Sequence, residues 1–223
     1  MQKVLLVVAK RPAPGQTKTR LCPPLNSKQA AELYECFLCD TLTIMRGVPD
    51  VTPKIVYLPQ DADNYFRKLA PDMGLVQQRG ESLGERLDNL LTDVLFAGAD
   101  MAVVINSDSP TLPTAYLIQA FKRLSATDIV LGPTLDGGYY LIGMKEPHPR
   151  ILREVQMSTP NVLQDTLGLA RETGVSVSLL PEWYDVDTID ELDKLRNDIN
   201  GSQTNSCTCT RAWLRNHLIS FER

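Results

Sequence analysis

The segment Lys10-Arg-Pro-Ala-Pro-Gly-Gln-Thr-Lys-Thr-Arg-Leu21 places Lys10, Arg11, Lys18 and Arg20 within eleven positions of a chain whose formal net charge is -4. Lysine point charges, the planar fork of an arginine and backbone amides together recognise polyphosphate. Pro12, Pro14 and Gly15 bend and stiffen the segment, and Gly15 lets backbone approach a ligand closely. The glycine spacing that a Walker loop sets ahead of Lys-Thr is absent, as is the Gly-x-Gly-x-x-Gly of a dinucleotide site. A solvated basic loop is the bland alternative. Position favours phosphate, because the segment directly follows the first strand of what reads as an α/β sheet.

Carboxylates form the second group. Asp108, in Ala102-Val-Val-Ile-Asn-Ser-Asp-Ser-Pro110, stands just past a buried apolar run. Its oxygens suit a hard cation, Mg²⁺ or Mn²⁺, that would bridge phosphates and spread their charge. Taken alone, it equally suits a turn before Pro110. Tyr184-Asp-Val-Asp-Thr188 supplies Asp185 and Asp187 at a later strand end, which shifts the balance toward metal even if one of the two only completes the turn.

Two further loops are candidates. Asp136-Gly137-Gly138 reads either as a hairpin turn or as bare backbone holding a substrate, with Asp136 accepting from hydroxyls. Gln78 and Gly80, in Gln78-Arg-Gly-Glu-Ser-Leu-Gly-Glu-Arg-Leu87, read either as contacts to a base or sugar or as a plain strand–helix connection. Cys36 and Cys39 lie in a helical pattern, Cys207-Thr-Cys209 has no second pair for zinc, and His148 and His217 have no nucleophile partner, so none of these is assigned a function.

The elements that must position these residues are an alternating series. Apolar runs at Lys3–Ala9, Lys54–Leu58, Ala102–Ile105, Asp128–Leu131, Tyr139–Ile142 and Val175–Leu180 fit strands, the bare ones buried on both faces of a parallel sheet. Residues 27–45 form an amphipathic helix. Leu83, Leu87, Leu90, Leu91, Val94 and Leu95 make a helical stripe behind a Ser82/Glu85 capping box. Thr188 and Glu191 open another helix over Ile189–Ile199, and Thr159-Pro160 reads as N-cap and first-turn proline. Such alternation implies a layered sheet with right-handed crossovers and ligands at the carboxyl ends of its strands.

With 223 residues, 43% hydrophobic and 22% charged, the chain suits one α/β domain with a full core. An acidic balance argues against nucleic acid as the main partner. No apolar run is long enough for a signal core or a membrane span, and five cysteines without framework spacing fit a reducing cytoplasm. Gly201-Ser-Gln-Thr-Asn-Ser206 reads as a polar linker, followed by a short helix or tail between Arg211 and Arg223 with Trp213, Leu214, His217, Leu218 and Phe221 on one side.

Taken in order, the motifs Lys-x-Pro-x-x-Gly-x-x-Lys-Thr-Arg-Leu, Gln-x-Gly-x-x-Leu-Gly-Glu-Arg, Ser-Asp-Ser-Pro, Gly-Pro-x-x-Asp-Gly-Gly-Tyr-Tyr-Leu and Asp-Val-Asp-Thr-x-x-x-Leu resemble a bacterial family of glycosyltransferase-like proteins, the selenodomain-associated transferases. That family sits in the nucleotide-diphospho-sugar transferase (GT-A) superfamily, beside phospholactate guanylyltransferases and molybdenum-cofactor nucleotidyltransferases. The resemblance covers residues 3–196. It implies a three-layer α/β/α sandwich with a mostly parallel sheet over residues 1–200, with 201–223 as an appendage. It implies a phosphate loop of Lys10, Gly15, Lys18 and Arg20, further nucleotide contacts from Gln78, Gly80 and Ser107, and metal ligands Asp108 and Asp187. Asp136, Gly137, Gly138 and Tyr139 would face the sugar or acceptor, with Asp108, Lys18 and Asp136 carrying the chemistry. The Leu-Ala-Gly-Gly-x-Gly loop of related nucleotidyltransferases is replaced here by the proline-containing segment. The implied activity is metal-dependent transfer from a nucleotide-sugar to a small-molecule acceptor. The alternatives are nucleotidyl transfer with release of pyrophosphate, and a non-catalytic nucleotide sensor.

Overall fold

A computed structural model describes residues 1–201 and 207–217. Among them, β1 (Lys3–Lys10), β2 (Thr52–Leu58), β3 (Gly74–Gln77), β4 (Met101–Ile105), β5 (Ile129–Pro133), β6 (Tyr139–Met144) and β7 (Val177–Leu179) form one sheet in the order β3-β2-β1-β4-β6-β5-β7. All neighbouring pairs are parallel except those of β6, which runs antiparallel to both β4 and β5. The reversal has a local cause. Residues 134–138 are too few for a crossover, so β5 and β6 can only be joined as a hairpin. As a result β6 begins at the edge where β1, β2, β4 and β5 end.

The helices are α1 (Ser27–Arg46), α2 (Asp63–Leu69), α3 (Leu83–Phe96), α4 (Thr114–Leu124), α5 (Pro149–Arg153), α6 (Val162–Thr173), α7 (Ile189–Gly201) and α8 (Thr208–Asn216). Side chains alternate across the sheet with period two. Leu5, Val7 and Ala9 of β1 pack on one face with Leu38 and Leu42 of α1 and Leu117 and Phe121 of α4. Val4 and Leu6 pack on the other with Leu87, Leu91 and Val94 of α3 and Ile151 and Leu152 of α5. The protein is therefore a three-layer α/β/α sandwich. The long apolar run of β1 is explained by burial on both faces. A third cluster joins Tyr34 and Phe37 of α1 to Leu192 and Leu195 of α7 and Trp213 of α8.

Several local signals act as the sequence suggests. Ser82 accepts from the Glu85 amide at 3.1 Å, although the Glu85 carboxylate reaches the amide of Glu81, one residue before the box position. The Glu191 carboxylate accepts from the amides of Asp187 and Thr188 at 2.8 and 2.7 Å. Other points differ. β3 is four residues of an edge strand, too short to show a period. Thr159-Pro160 does not start a helix: α6 begins at Val162 behind Asn161, and the Pro160 carbonyl instead packs against Gly137. α7 continues to Gly201, residues 202–206 and the expected helical positions Leu218 and Phe221 lie outside the described residues, and α8 starts at Thr208 and ends at Asn216.

Candidate active site at the carboxyl edge of the sheet

The strand ends and the β5–β6 hairpin enclose a cleft of about 910 Å³. Lys10, Lys18, Arg20, Gln78, Ser107, Asp108, Asp136, Gly138, Tyr139 and Asp187 all line it. Gly15, Gly80 and Gly137 do not. Gly15 (φ +74°) shapes the exposed turn of the basic loop. Gly80 (φ +135°) lets its loop fold against the start of α3, where a side chain would meet Glu85 and the Arg86 amide. Gly137 (φ +89°) is required by packing, since a Cβ there would lie 1.9 Å from the Pro160 carbonyl.

The basic loop turns at Lys18, whose backbone adopts φ 50° and ψ 39°, an uncommon left-handed conformation for a side-chain-bearing residue. The Thr17 and Gln16 amides both donate to the Ala13 carbonyl, and Thr17 is buried, which anchors the turn. The loop thereby sends the Lys18 side chain inward. Its ammonium donates to Asp108 Oδ1 at 2.5 Å and to Asp187 Oδ1 at 2.7 Å, and the side chain is only 4% exposed. Burial alone would favour loss of its proton. The charges of Asp108 and then Asp187 outweigh burial and hold the Lys18 pKa above the ordinary lysine value. Lys10 and Arg20 stay exposed at the mouth.

The aspartate pair after β7 separates into two roles. Asp185 Oδ1 accepts from Asn106 Nδ2 at 2.8 Å and from Ser109 Oγ at 2.6 Å. Burial, then the neighbouring charge of Asp108, pushes its carboxyl up to about 7. It ties the post-β7 segment to the loop after β4, where the Val186 amide also donates to the Asp108 carbonyl at 2.9 Å. Asp187 lines the cleft as Asp185 does, but bonds Lys18 instead. Asp185 thus ties the two loops together, and Asp187 shares its counter-ion with Asp108.

The remaining candidates are held by neighbours. The Gln78 side chain donates to the Val56 carbonyl at 3.1 Å, so its amide nitrogen faces the sheet. Ser107 Oγ is 2.8 Å from Tyr34 Oη, which also accepts from the Lys10 amide at 3.1 Å. Asp136 Oδ1 accepts from Thr134 Oγ1 at 2.5 Å and from the Gly138 amide at 3.2 Å. Thr134 and Gly138 also exchange a backbone bond, Thr134 N to Gly138 O at 3.1 Å. The loop is therefore a hairpin turn, and its Asp136 and Gly138 line the cleft. Tyr139 is half-buried, with its hydroxyl 3.6 Å from the Met157 sulfur, and desolvation raises its pKa.

Sequence reasoning missed Tyr34, Asn106 and Ser109. Tyr34 sits on α1, far in sequence from the strand ends, and joins Lys10 to Ser107. A tyrosine on the apolar stripe of a helix signals core, and only the tertiary packing shows that its hydroxyl reaches the site. Asn106 and Ser109 flank Asp108 in the Asn-Ser-Asp-Ser-Pro run, where small polar residues could have been marked as loop-fixing groups.

Fold and site together define a nucleotide-diphospho-sugar transferase-like protein. The family described as "uncharacterized protein conserved in bacteria (DUF2064)" matches residues 41–159, just over half of the chain, and the chain belongs to this family. A proposed nucleotide-diphospho-sugar transferase from Desulfovibrio desulfuricans G20 is 32% identical, with a TM-score of 0.87 over 97% of this chain and 99% of that one. The 4-diphosphocytidyl-2C-methyl-D-erythritol synthase of Anaerococcus prevotii DSM 20548 has a TM-score of 0.58 at 10% identity, over 89% of this chain and 96% of that one. A CMP:2-keto-3-deoxy-manno-octonic acid synthetase, solved with CTP, has a TM-score of 0.53 at 13% identity, over 90% and 99% of the two chains. The last two likenesses concern the fold. No curated protein matches the chain. Among the described residues no helix is long and apolar enough to cross a membrane.

Proposed function

We propose that this protein is a cytoplasmic, metal-dependent transferase that takes its donor as a nucleotide-sugar and passes the sugar to a small-molecule acceptor. One observation carries the reading: Lys18, Asp108 and Asp187, from the separate segments that follow β1, β4 and β7, converge on one point in the cleft. Lys10 and Arg20 stand at its mouth. Lys10, Lys18 and Arg20 would meet the donor diphosphate. Asp136 and Tyr139, across the cleft on the hairpin, would face the transferred sugar or its acceptor.

The donor set fits a divalent cation. Both carboxylates present an oxygen to a shared point, and hard oxygen donors suit Mg²⁺ or Mn²⁺, which commonly bind through one or two carboxylates and complete their shell with phosphate and water. Among the described residues no group of three or more ligating side chains gathers, so phosphate would have to supply further ligands. Such a cation would supply charge neutralisation at the leaving diphosphate. Lys18 and Arg20 would add fixed positive charge there, and Asp136 would orient an acceptor hydroxyl by accepting its proton in a hydrogen bond.

The test is a product assay. Purified protein is incubated with nucleotide-sugars, or with nucleoside triphosphates and sugar phosphates, in Mg²⁺ or Mn²⁺. Release of nucleoside diphosphate is the expected result. Release of pyrophosphate would replace this reading with nucleotidyl transfer. Tight nucleotide binding with neither product across the panel would leave a nucleotide sensor.

A further inference from the structure

We propose that Lys18 and the divalent cation are alternative occupants of one place: the ammonium bridges Asp108 and Asp187 until the cation enters, then moves to the donor phosphates. The inference rests on the metal-dependent reading above and adds to it a definite role for one side chain. The geometry gives the reason. The two carboxylate oxygens lie 2.5 and 2.7 Å from the same nitrogen. A divalent ion bonded to those oxygens at about 2.1 Å would overlap that nitrogen. With the Lys18 side chain 4% exposed, the shared point is filled and closed to a second cation.

The charges favour the exchange most when phosphate is present, and without it the exchange needs saturating cation. Two carboxylates and one ammonium sum to -1; two carboxylates and a divalent cation sum to zero. Displacing Lys18 thus satisfies the carboxylates but leaves a buried ammonium without a partner, which is costly in a low-dielectric site. A diphosphate entering beside Lys10 and Arg20 offers that ammonium a new anion. The architecture allows the move. The backbone of the loop is anchored through Thr17, whereas the ammonium rides on a flexible four-carbon stem. Its other close surroundings are the rings of Tyr34 and Phe37, whose centroids lie 5.9 and 5.7 Å away. These ring faces line its path without holding it by directed bonds.

The exchange makes an unusual prediction: removing a cation should improve metal binding. Mn²⁺ is titrated into wild-type protein and Lys18→Met without nucleotide, with free Mn²⁺ read by electron paramagnetic resonance. Lys18→Met is expected to bind Mn²⁺ at least ten-fold more tightly than wild type, while binding nucleotide more weakly. A misfolded variant would lose both, so the opposite signs identify the exchange. Equal or weaker Mn²⁺ binding by a folded Lys18→Met overturns it. If that variant does not fold, wild-type protein decides: acetic anhydride labelling of Lys18, followed by peptide mass spectrometry, should rise at saturating Mn²⁺, and unchanged labelling overturns the exchange. Wild-type protein that binds no Mn²⁺ even with nucleotide removes the metal-dependent reading itself. Mn²⁺ binding that appears only with nucleotide, together with no gain in Lys18→Met, removes the exchange alone.

Discussion

Two regions of this molecule hold buried or half-buried aspartates against nitrogen donors, and they do so in opposite ways. Asp40, on α1, is 4% exposed and accepts from the Cys209 and Thr210 amides at 3.0 and 2.8 Å. Those amides open α8, where unpaired backbone donors and the helix dipole both favour a carboxylate. Next to this contact the Cys36 and Cys209 sulfurs approach to 2.9 Å, and burial pushes the nearby Cys39 thiol up to about 11. Asp108 and Asp187 are 33% and 42% exposed at their side chains and share the Lys18 ammonium. Asp40 is bonded to backbone that cannot leave without unfolding α8. Asp108 and Asp187 are bonded to a side chain that can swing away. Of the two, only the second has a side-chain partner and an open side facing the cleft.

Breaking the fixed contact should have the largest effect. Asp40→Ala leaves two helix-terminal amides buried without acceptors, and about 3 kcal/mol of stability should be lost in urea unfolding. Nucleotide affinity, read by calorimetry on the folded fraction, should stay within a factor of about two, since α8 lines no part of the cleft. A large loss of affinity would show that α8 supports the site through Tyr184 and Val186 in the third core cluster.

Arg20→Ala addresses the open region. Arg20 is exposed at the cleft mouth, so its melting temperature should hardly move, while nucleotide binding weakens by about 1.5–3 kcal/mol, the worth of a charge-assisted hydrogen bond. Unchanged affinity in folded protein would remove Arg20 from the phosphate site.

Asp108→Asn sharpens the contrast with Asp40. Relieving the repulsion that raises Asp185 offsets part of the lost ion pair, so unfolding free energy should shift by less than about 1 kcal/mol. The mutual strengthening of metal and nucleotide binding, expected at about 1–3 kcal/mol in wild type, should vanish. Persistence of that coupling in Asp108→Asn, measured by nucleotide titrations in chelator and in Mn²⁺, would count against Asp108 as a ligand.

The smallest effect belongs to the hairpin. Asn at position 136 keeps an oxygen for Thr134 Oγ1 and the Gly138 amide, so Asp136→Asn should fold normally. Turnover is expected to fall about ten-fold, roughly 1.4 kcal/mol, with donor affinity nearly unchanged. Equal losses in both would place Asp136 at the nucleotide.

Much of the architecture could be read directly from residue order. The unbroken apolar run of β1 requires burial on both faces, and the leucine stripe of α3 requires one apolar face; both are local consequences of side-chain period. The basic loop stood out because its charge opposes that of the whole chain. Asp108 and Asp187 could be named as strand-end carboxylates for the same local reason. Their counter-ion could not, because Lys18 lies 169 positions from Asp187, and the contacts exist only once β1 pairs with β4 and the segment after β7 docks on the loop after β4. Nor could sequence separate Asp185 from Asp187, two residues apart. The difference lies in which side chain meets Asn106 and Ser109 and which meets Lys18. Tyr34 and Asp40 were indistinguishable from ordinary helix residues until packing set one against Ser107 and the other under α8. Sequence by itself determined the layers and the edge where the candidate residues gather, because periodicity and charge act within a few residues. Tertiary structure alone decided which charged groups pair, because those energies depend on distances between segments that only the assembled sheet defines.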